Sequence, residues 1–332
     1  MKVLILKPSS LGDVIHALPL LRLLKKSYPQ AEVHWWIEES LAPLLEADPD
    51  LAALQIFRRR NWGSPLGVLR EIRSVAGLRR ERYDWVIDLQ GLARSAWFGW
   101  FSRGAVMAGV DSGREGARGL YDVAVPRPSP ETHAVDWNLE VARALGVDID
   151  CDFEWLPAPV GTAFKLPDPG ANWVAICPGA RWPNKRWPTE HFSRLVKELL
   201  ERDKSLRIVI LGSAGDAESN RIISQSAQDS CLDLTGKTSL PEMVECLRSA
   251  RVVVANDSGP LHVAVALNRP LVALYGPTHA GRTGPYGMPN SLMRTALPCA
   301  PCQVPTCANP VERECLRVIS PPTVVDAVLA RL

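Results

Sequence analysis

Short apolar runs alternate with longer amphipathic stretches along this chain. Runs such as Val3-Leu4-Ile5-Leu6 and Val252-Val253-Val254-Ala255 are apolar at every position rather than at every second one. That pattern predicts strands covered on both faces, as in a parallel sheet between helical layers. In the first half the predicted strands are Lys2–Lys7, Glu32–Ile37, Leu54–Phe57, Trp85–Leu89 and Val106–Val110, with helices over Leu11–Lys26 and Pro65–Arg80. A Pro-rich segment from Leu156 to Pro169 breaks the rhythm and reads as a linker. The alternation then restarts, with strands Trp173–Cys177, Arg207–Leu211, Leu232–Leu234, Val252–Ala255 and Leu271–Tyr275. Helices are expected over Thr189–Glu201, Asp216–Ala227 and Leu240–Ser249. A chain of 332 residues exceeds one ordinary core. The expected class is α/β: two tandem Rossmann-like domains, 1–155 and 171–332, joined by residues 156–170 and enclosing a cleft.

Composition narrows the functional classes. A hydrophobic content of 46% with 22% charged residues suits a soluble globular protein, and a net charge of +2 is too small to argue for nucleic-acid binding. No run approaches the ~18 apolar residues of a membrane span, and the apolar opening is too short for a signal-peptide core, so a cytoplasmic location is expected. Neither half carries a G-x-G-x-x-G or a G-x-x-x-x-G-K-[ST] signature, which argues against dinucleotide and P-loop chemistry. Basic residues do cluster locally, as Arg58-Arg59-Arg60 before Trp62 and as Arg79-Arg80.

Of eight cysteines, four are scattered (Cys151, Cys177, Cys231, Cys246) and four are clustered as Cys299-x2-Cys302-x4-Cys307-x7-Cys315. The spacing matches no standard zinc module, although its first pair has ligand spacing. A Pro-rich loop with free thiols is the preferred reading and zinc the alternative.

In α/β sheets, ligands bind where strands end and helices begin. The turn Asp257-Ser258-Gly259 follows an apolar strand and opens a helix bearing His262. Backbone N–H groups and the dipole there favour an anion, which suggests a phosphorylated ligand. Ser9-Ser10-Leu11-Gly12-Asp13, with His16, follows the first strand. Asp13 suits either a general base or a helix cap. The stiff loop Pro178-Gly179-Ala180-Arg181-Trp182-Pro183-Asn184-Lys185-Arg186-Trp187-Pro188 places three cations within six positions, as a diphosphate requires. In Gly212-Ser213-Ala214-Gly215-Asp216-Ala217-Glu218, Asp216 or Glu218 suits ribose hydroxyls, and a helix cap suits Asp216 equally. Tyr275-Gly276-Pro277-Thr278 closes the last predicted strand.

Together with Asp88-Leu89-Gln90-Gly91-Leu92 and Arg94-Ser95-Ala96, these motifs resemble, in order and over nearly the whole chain, the bacterial lipopolysaccharide heptosyltransferases of glycosyltransferase family 9. The resemblance implies a GT-B fold and inverting, metal-independent transfer of heptose from ADP-heptose to the lipopolysaccharide inner core, on Kdo or on the first heptose. It implies Asp13 as catalytic base, Lys185 as the residue neutralising the donor diphosphate, and Asp257, Ser258, Gly259 and His262 as the donor-binding turn. Arg181 joins the phosphate work, and Asp216 and Glu218 join the donor side from the ribose reading above. Ser10, Gly12, Arg58, Arg59, Arg60, Gln90 and Arg94 fall to the acceptor. No cofactor is implied. Ala180 and Arg181 replace hydroxyl residues of some first-heptose enzymes, whereas the cysteine cluster is more like second-heptose members. The alternatives are a family 9 transferase for a protein or another glycan, or a silent nucleotide-sugar or metal-binding protein. The acceptor implied is an anionic glycolipid of the inner membrane. The run Trp97-Phe98-Gly99-Trp100-Phe101 is either a core helix, which is preferred, or a peripheral membrane contact.

Overall fold

The computed structural model describes residues 1–58, 77–150, 154–157, 164–227 and 230–332. They divide into two compact units, Met1–Val160 and Gly161–Leu332. The first unit holds β1 (Lys2–Leu6), β2 (Glu32–Glu38), β3 (Ala53–Phe57), β4 (Trp85–Asp88), β5 (Val106–Asp111) and β6 (Val123–Pro126). The second holds β7 (Asn172–Cys177), β8 (Leu206–Ile210), β9 (Cys231–Asp233), β10 (Val252–Asn256), β11 (Leu271–Tyr275) and β12 (Leu292–Arg294).

The sheets run β3-β2-β1-β4-β5-β6 and β12-β11-β10-β7-β8-β9, and their pairings are parallel. Each unit counted from its own first strand gives the Rossmann order 3-2-1-4-5-6. Strand order therefore reverses between β1 and β4 in one unit and between β7 and β10 in the other. In open α/β sheets such reversals are where ligands bind, so the loops here are the candidate ones.

The central strands are what the apolar runs demand. Val3 to Leu6 and Val252 to Ala255 are wholly inaccessible, each aliphatic side chain of this kind contributing about 1.5–3 kcal/mol on burial. In the first unit Trp36 stacks on Phe98, with ring centroids 4.2 Å apart. In the second, Trp187 packs edge-on against Phe192 at 4.8 Å, beneath the loop that leads out of β7.

Several elements escape the hydrophobic pattern. The edge strands β6 and β12 are short and only partly buried, so they lack a continuous apolar run. Helices Ala134–Ala144 and Pro321–Leu329 lie beyond the predicted set. The helix expected from Asp216 starts at Ala217, after a single 3-10 turn over Ala214–Asp216, and ends at Ser224. Of Pro65–Arg80, only 77–80 lies within the described residues, and it is helical, as is residue 81. The linker's residues 158–163 and Cys151 lie outside them. Helix Ala93–Ser102 buries Phe98 on the sheet, as the core-helix reading expects, and exposes Trp97 and Trp100 by about half.

Candidate functional site

In the second unit the loop leaving β7 is fastened to the end of β10. Asn256, fully buried, donates from Nδ2 to the Pro178 carbonyl at 2.6 Å and accepts at Oδ1 from the Trp187 N–H at 3.1 Å. One side chain thus holds both ends of the Pro178–Trp187 loop.

The next residue, Asp257, is the hub of the site. Its Oδ2 lies 2.7 Å from Lys185 Nζ and accepts from Thr278 Oγ1 at 2.6 Å. Its Oδ1 accepts from the Tyr275 hydroxyl at 3.1 Å and faces His262 Nε2 at 3.8 Å. Burial alone would raise this carboxyl's pKa. The His262 imidazole and the Lys185 ammonium outweigh burial and hold it well below the usual aspartate range. Asp257 is therefore an anion at neutral pH that joins the loops after β7, β10 and β11. Lys185 also lies over the Trp182 ring, 4.7 Å from its centroid.

A second ion pair ties the same loop to the end of β8. Arg186 donates from Nε to the Ala180 carbonyl at 2.8 Å, and its Nη2 lies 3.3 Å from Asp216 Oδ1. Asp216 Oδ2 accepts from the Ser213 N–H at 3.0 Å and hydroxyl at 2.7 Å, completing a capping box. Gly179 packs on this carboxylate: a Cβ there would stand 2.8 Å from Asp216 Oδ2. Arg181 and Glu218 are exposed. Ser258 occupies the N-cap position of helix Gly259–Ala266, whose N-terminus opens beside Asp257. Cations on a stiff loop beside a helix N-terminus suit a ligand with more than one negative charge.

The first unit has a parallel arrangement at its own reversal. Lys7, at the end of β1 and buried, donates from Nζ to the Leu89 carbonyl just past β4, at 2.6 Å. Asp13 is the third residue of helix Leu11–Ser27, and its Oδ2 accepts from the Ser10 N–H at 2.9 Å and hydroxyl at 2.7 Å. The capping geometry weighed for Asp13 is thus present, and it fixes the carboxylate at the helix mouth beside Ser10 and Gly12. Asp88 is fully buried and accepts at Oδ1 from the Gln90 and Gly91 N–H groups at 2.8 and 3.2 Å and at Oδ2 from the Tyr121 hydroxyl at 2.8 Å. Burial raises its pKa against these hydrogen bonds. The loop it braces carries Gln90 and leads to the exposed Arg94. Arg58 pairs with Glu39 at 2.9 Å, and Arg59 and Arg60 lie outside the described residues.

The candidate residues thus fall into two groups, one in each unit. Asn256, Tyr275, Thr278, Lys7 and Asp88 belong to the same networks but were not among the site residues expected from sequence. A polar residue closing a solidly apolar strand is the signal that Asp88 and Asn256 share.

The model for glycosyltransferase family 9 (heptosyltransferase) matches residues 72–311. The chain is 34% identical over 331 residues to lipopolysaccharide heptosyltransferase 1 of Pseudomonas aeruginosa, covering 95% of this chain and 90% of that protein. The chain belongs to glycosyltransferase family 9. Lipopolysaccharide heptosyltransferase 2 of Escherichia coli is 31% identical, over 86% of this chain and 85% of the relative. An Escherichia coli heptosyltransferase solved with ADP superposes with a TM-score of 0.78 at 26% identity, over the full length of both chains. The structure of Escherichia coli ADP-heptose lipopolysaccharide heptosyltransferase II gives 0.76 at 26% identity, over 99% and 98% of the two chains. The α/β architecture of paired Rossmann-like units is thus that of GT-B heptosyltransferases, as the motifs led us to expect.

In this family 9 chain the cysteine-rich segment belongs to the second unit. Cys299 and Cys302 are exposed, Cys307 is half-buried and Cys315 is buried. Among the described residues no group of three or more His, Cys, Asp or Glu side chains stands ready to hold a metal ion. No described helix is long and apolar enough to cross a membrane.

Proposed function

We propose that this glycosyltransferase moves heptose from ADP-heptose to the inner core of lipopolysaccharide, on Kdo or on the first heptose, with inversion and without a metal in the transfer. The observation that carries the donor assignment is the Lys185–Asp257 ion pair at the strand reversal of the second unit. It holds an ammonium in a fixed, largely buried position beside a helix N-terminus, as a departing diphosphate needs. The relatives named for lipopolysaccharide heptose transfer, and the related structure solved with ADP, support the same substrates.

In this reading an acceptor hydroxyl oxygen attacks the anomeric carbon of the heptose. The new C–O bond forms as the bond to the β-phosphate oxygen breaks, and ADP leaves with the electron pair. Asp13 takes the hydroxyl proton. Lys185, Arg181 and the N–H groups following Ser258 neutralise the charge growing on ADP, with Gly259 giving close approach and His262 lining the turn. Asp216 and Glu218 serve the nucleotide end, Asp216 through Arg186. Ser10, Gly12, Arg58, Arg59, Arg60, Gln90 and Arg94 serve the anionic acceptor. The exposed Trp97, Trp100 and Phe101, with Arg79 Nε bonded to the Phe101 carbonyl at 2.8 Å, suit peripheral contact with the cytoplasmic face of the inner membrane.

Purified protein given ADP-heptose and a Kdo-terminated or heptosylated lipid acceptor is expected to release ADP. Asp13→Ala is expected to abolish turnover while calorimetry still shows donor binding. Full turnover by Asp13→Ala would remove the base assignment. Equal use of UDP- or GDP-sugars, or turnover only on a protein or another glycan, would remove the substrate assignment.

A further inference from the structure

The transfer chemistry makes no use of four cysteines that the fold brings together. Cys299, Cys302, Cys307 and Cys315 line a single cavity of ≈ 20 Å³, which Asn184, Asn309, Arg313 and Glu314 help to enclose. That volume suits one water or one ion. Two N–H donors already point at its sulfurs: Asn309 Nδ2 at 3.4 Å from Cys299 Sγ and the Arg313 N–H at 3.3 Å from Cys307 Sγ. Such donors stabilise thiolates around a metal. The Arg313 guanidinium brings positive charge to a centre that four thiolates would make anionic.

The segment also grips the donor loops. Asn184, next to Lys185, donates from Nδ2 to the Val304 carbonyl. Arg313 Nη1 donates to the Arg186 carbonyl at 3.2 Å, and the Gln303 N–H donates to the Pro277 carbonyl at 2.7 Å. Gly276, in the turn after β11, packs against Cys315 so closely that a Cβ would stand 2.7 Å from its Sγ.

We propose that Cys299, Cys302, Cys307 and Cys315 form a tetrahedral thiolate site for one zinc or iron ion, which braces the loops carrying Lys185 and Thr278. Four sulfurs around an ion-sized cavity select these soft-ligand metals. Up to four S–H bonds lose their protons to solvent as the metal–sulfur bonds form, without oxidation. The thiols are not yet gathered into a coordination sphere. The four cysteines line one cavity, so binding requires only that their sulfurs converge on it. The ion's role is structural and separate from the transfer step, and the inference does not rest on the identity of donor or acceptor.

The test is metal analysis of the full chain purified without chelator and under reducing conditions. The expected result is stoichiometric zinc or iron, with the element deciding between them. Cobalt(II) substitution should give the visible bands of tetrahedral thiolate coordination. Cys299→Ser with Cys302→Ser should lose the metal, whereas Cys231→Ser, outside the cluster, should keep it. If the double variant does not fold, titrating wild-type thiols with a mercurial while a chromogenic chelator reports metal release serves instead: release should track modification of these cysteines. Chelation should also lower the melting temperature. Metal-free protein from metal-supplemented growth, a disulfide among the four, or metal release uncoupled from thiol modification would each overturn the site.

Discussion

Lys185 and Asp257 are partners at 2.7 Å across two loops that are far apart in sequence, and the same carboxylate accepts hydroxyl hydrogen bonds from Tyr275 and Thr278. The two residues therefore have unequal roles. Asp257 is almost wholly buried and organises three loops, while Lys185 retains some exposure, 19% of its side chain. Asp257→Ala leaves the Lys185 ammonium and the Thr278 hydroxyl without their acceptor, and Tyr275 with only the Thr283 carbonyl, and should cost about 3 kcal/mol of stability. Lys185→Ala leaves a carboxylate that still holds Tyr275 and Thr278, and should cost less. Donor affinity should fall in both. Urea melts alongside ADP calorimetry check the difference; a Lys185→Ala protein as unstable as Asp257→Ala would contradict it.

Two buried aspartates should respond to pH with opposite signs. Asp257 has a depressed pKa in the fold, so its stabilising contribution is complete above the unfolded value of about 3.9 and is lost as pH falls below it. Asp88 has a raised pKa, so the folded state holds its proton longer and stability falls as pH rises from that same value through the folded one. Relative to wild type, Asp257→Asn should lose the advantage that wild type gains on leaving acid. Asp88→Asn should gain on wild type over the window above pH ~4. Denaturant melts from acid to neutral pH check both slopes, and parallel curves for all three proteins would refute the pair.

The capping box of Asp216 leaves no room for a side chain at position 179. Gly179→Ala should push the carboxylate off Ser213 and Arg186, costing about 1–3 kcal/mol by overpacking and weakening donor binding. Gly119→Ala, where a Cβ meets nothing within 4 Å, is the matched control and should be nearly neutral. Equal melting temperatures for the two variants would show that the Asp216 contact yields freely.

How much of this was legible in the sequence follows from the physics of each feature. The central strands announce themselves because both faces are covered, so Val252 to Ala255 are apolar without a break. Edge strands β6 and β12 do not, since half of each faces solvent and a short partly polar run looks like a loop. The motif turns were readable as candidate sites because they follow strands. Their wiring was not: Asn256 reaches a loop 78 residues away, and Asp257 reaches Thr278 across 21, through contacts that only the sheet order creates. The four clustered cysteines have irregular spacing, and only the folded segment shows them around one cavity.

Lys7 offers the last prediction, because it does for the first unit what Asn256 does for the second. Its ammonium ends β1 and bonds the carbonyl that follows β4, linking the loop that leads to Asp13 with the loop that carries Gln90. Lys7→Met keeps the length and apolar stem but leaves the buried Leu89 carbonyl without its donor, a loss of about 1–3 kcal/mol. The loops proposed to bind the donor belong to the other unit, so ADP affinity should be unchanged. The efficiency of acceptor use should fall through kcat and the acceptor KM together, because both the Ser10–Asp13 turn and the Gln90 loop lose their common anchor. Steady-state kinetics with the acceptor varied, set beside ADP calorimetry, separates this from general unfolding. A Lys7→Met protein that loses ADP affinity in proportion to turnover would instead make Lys7 a residue of overall stability.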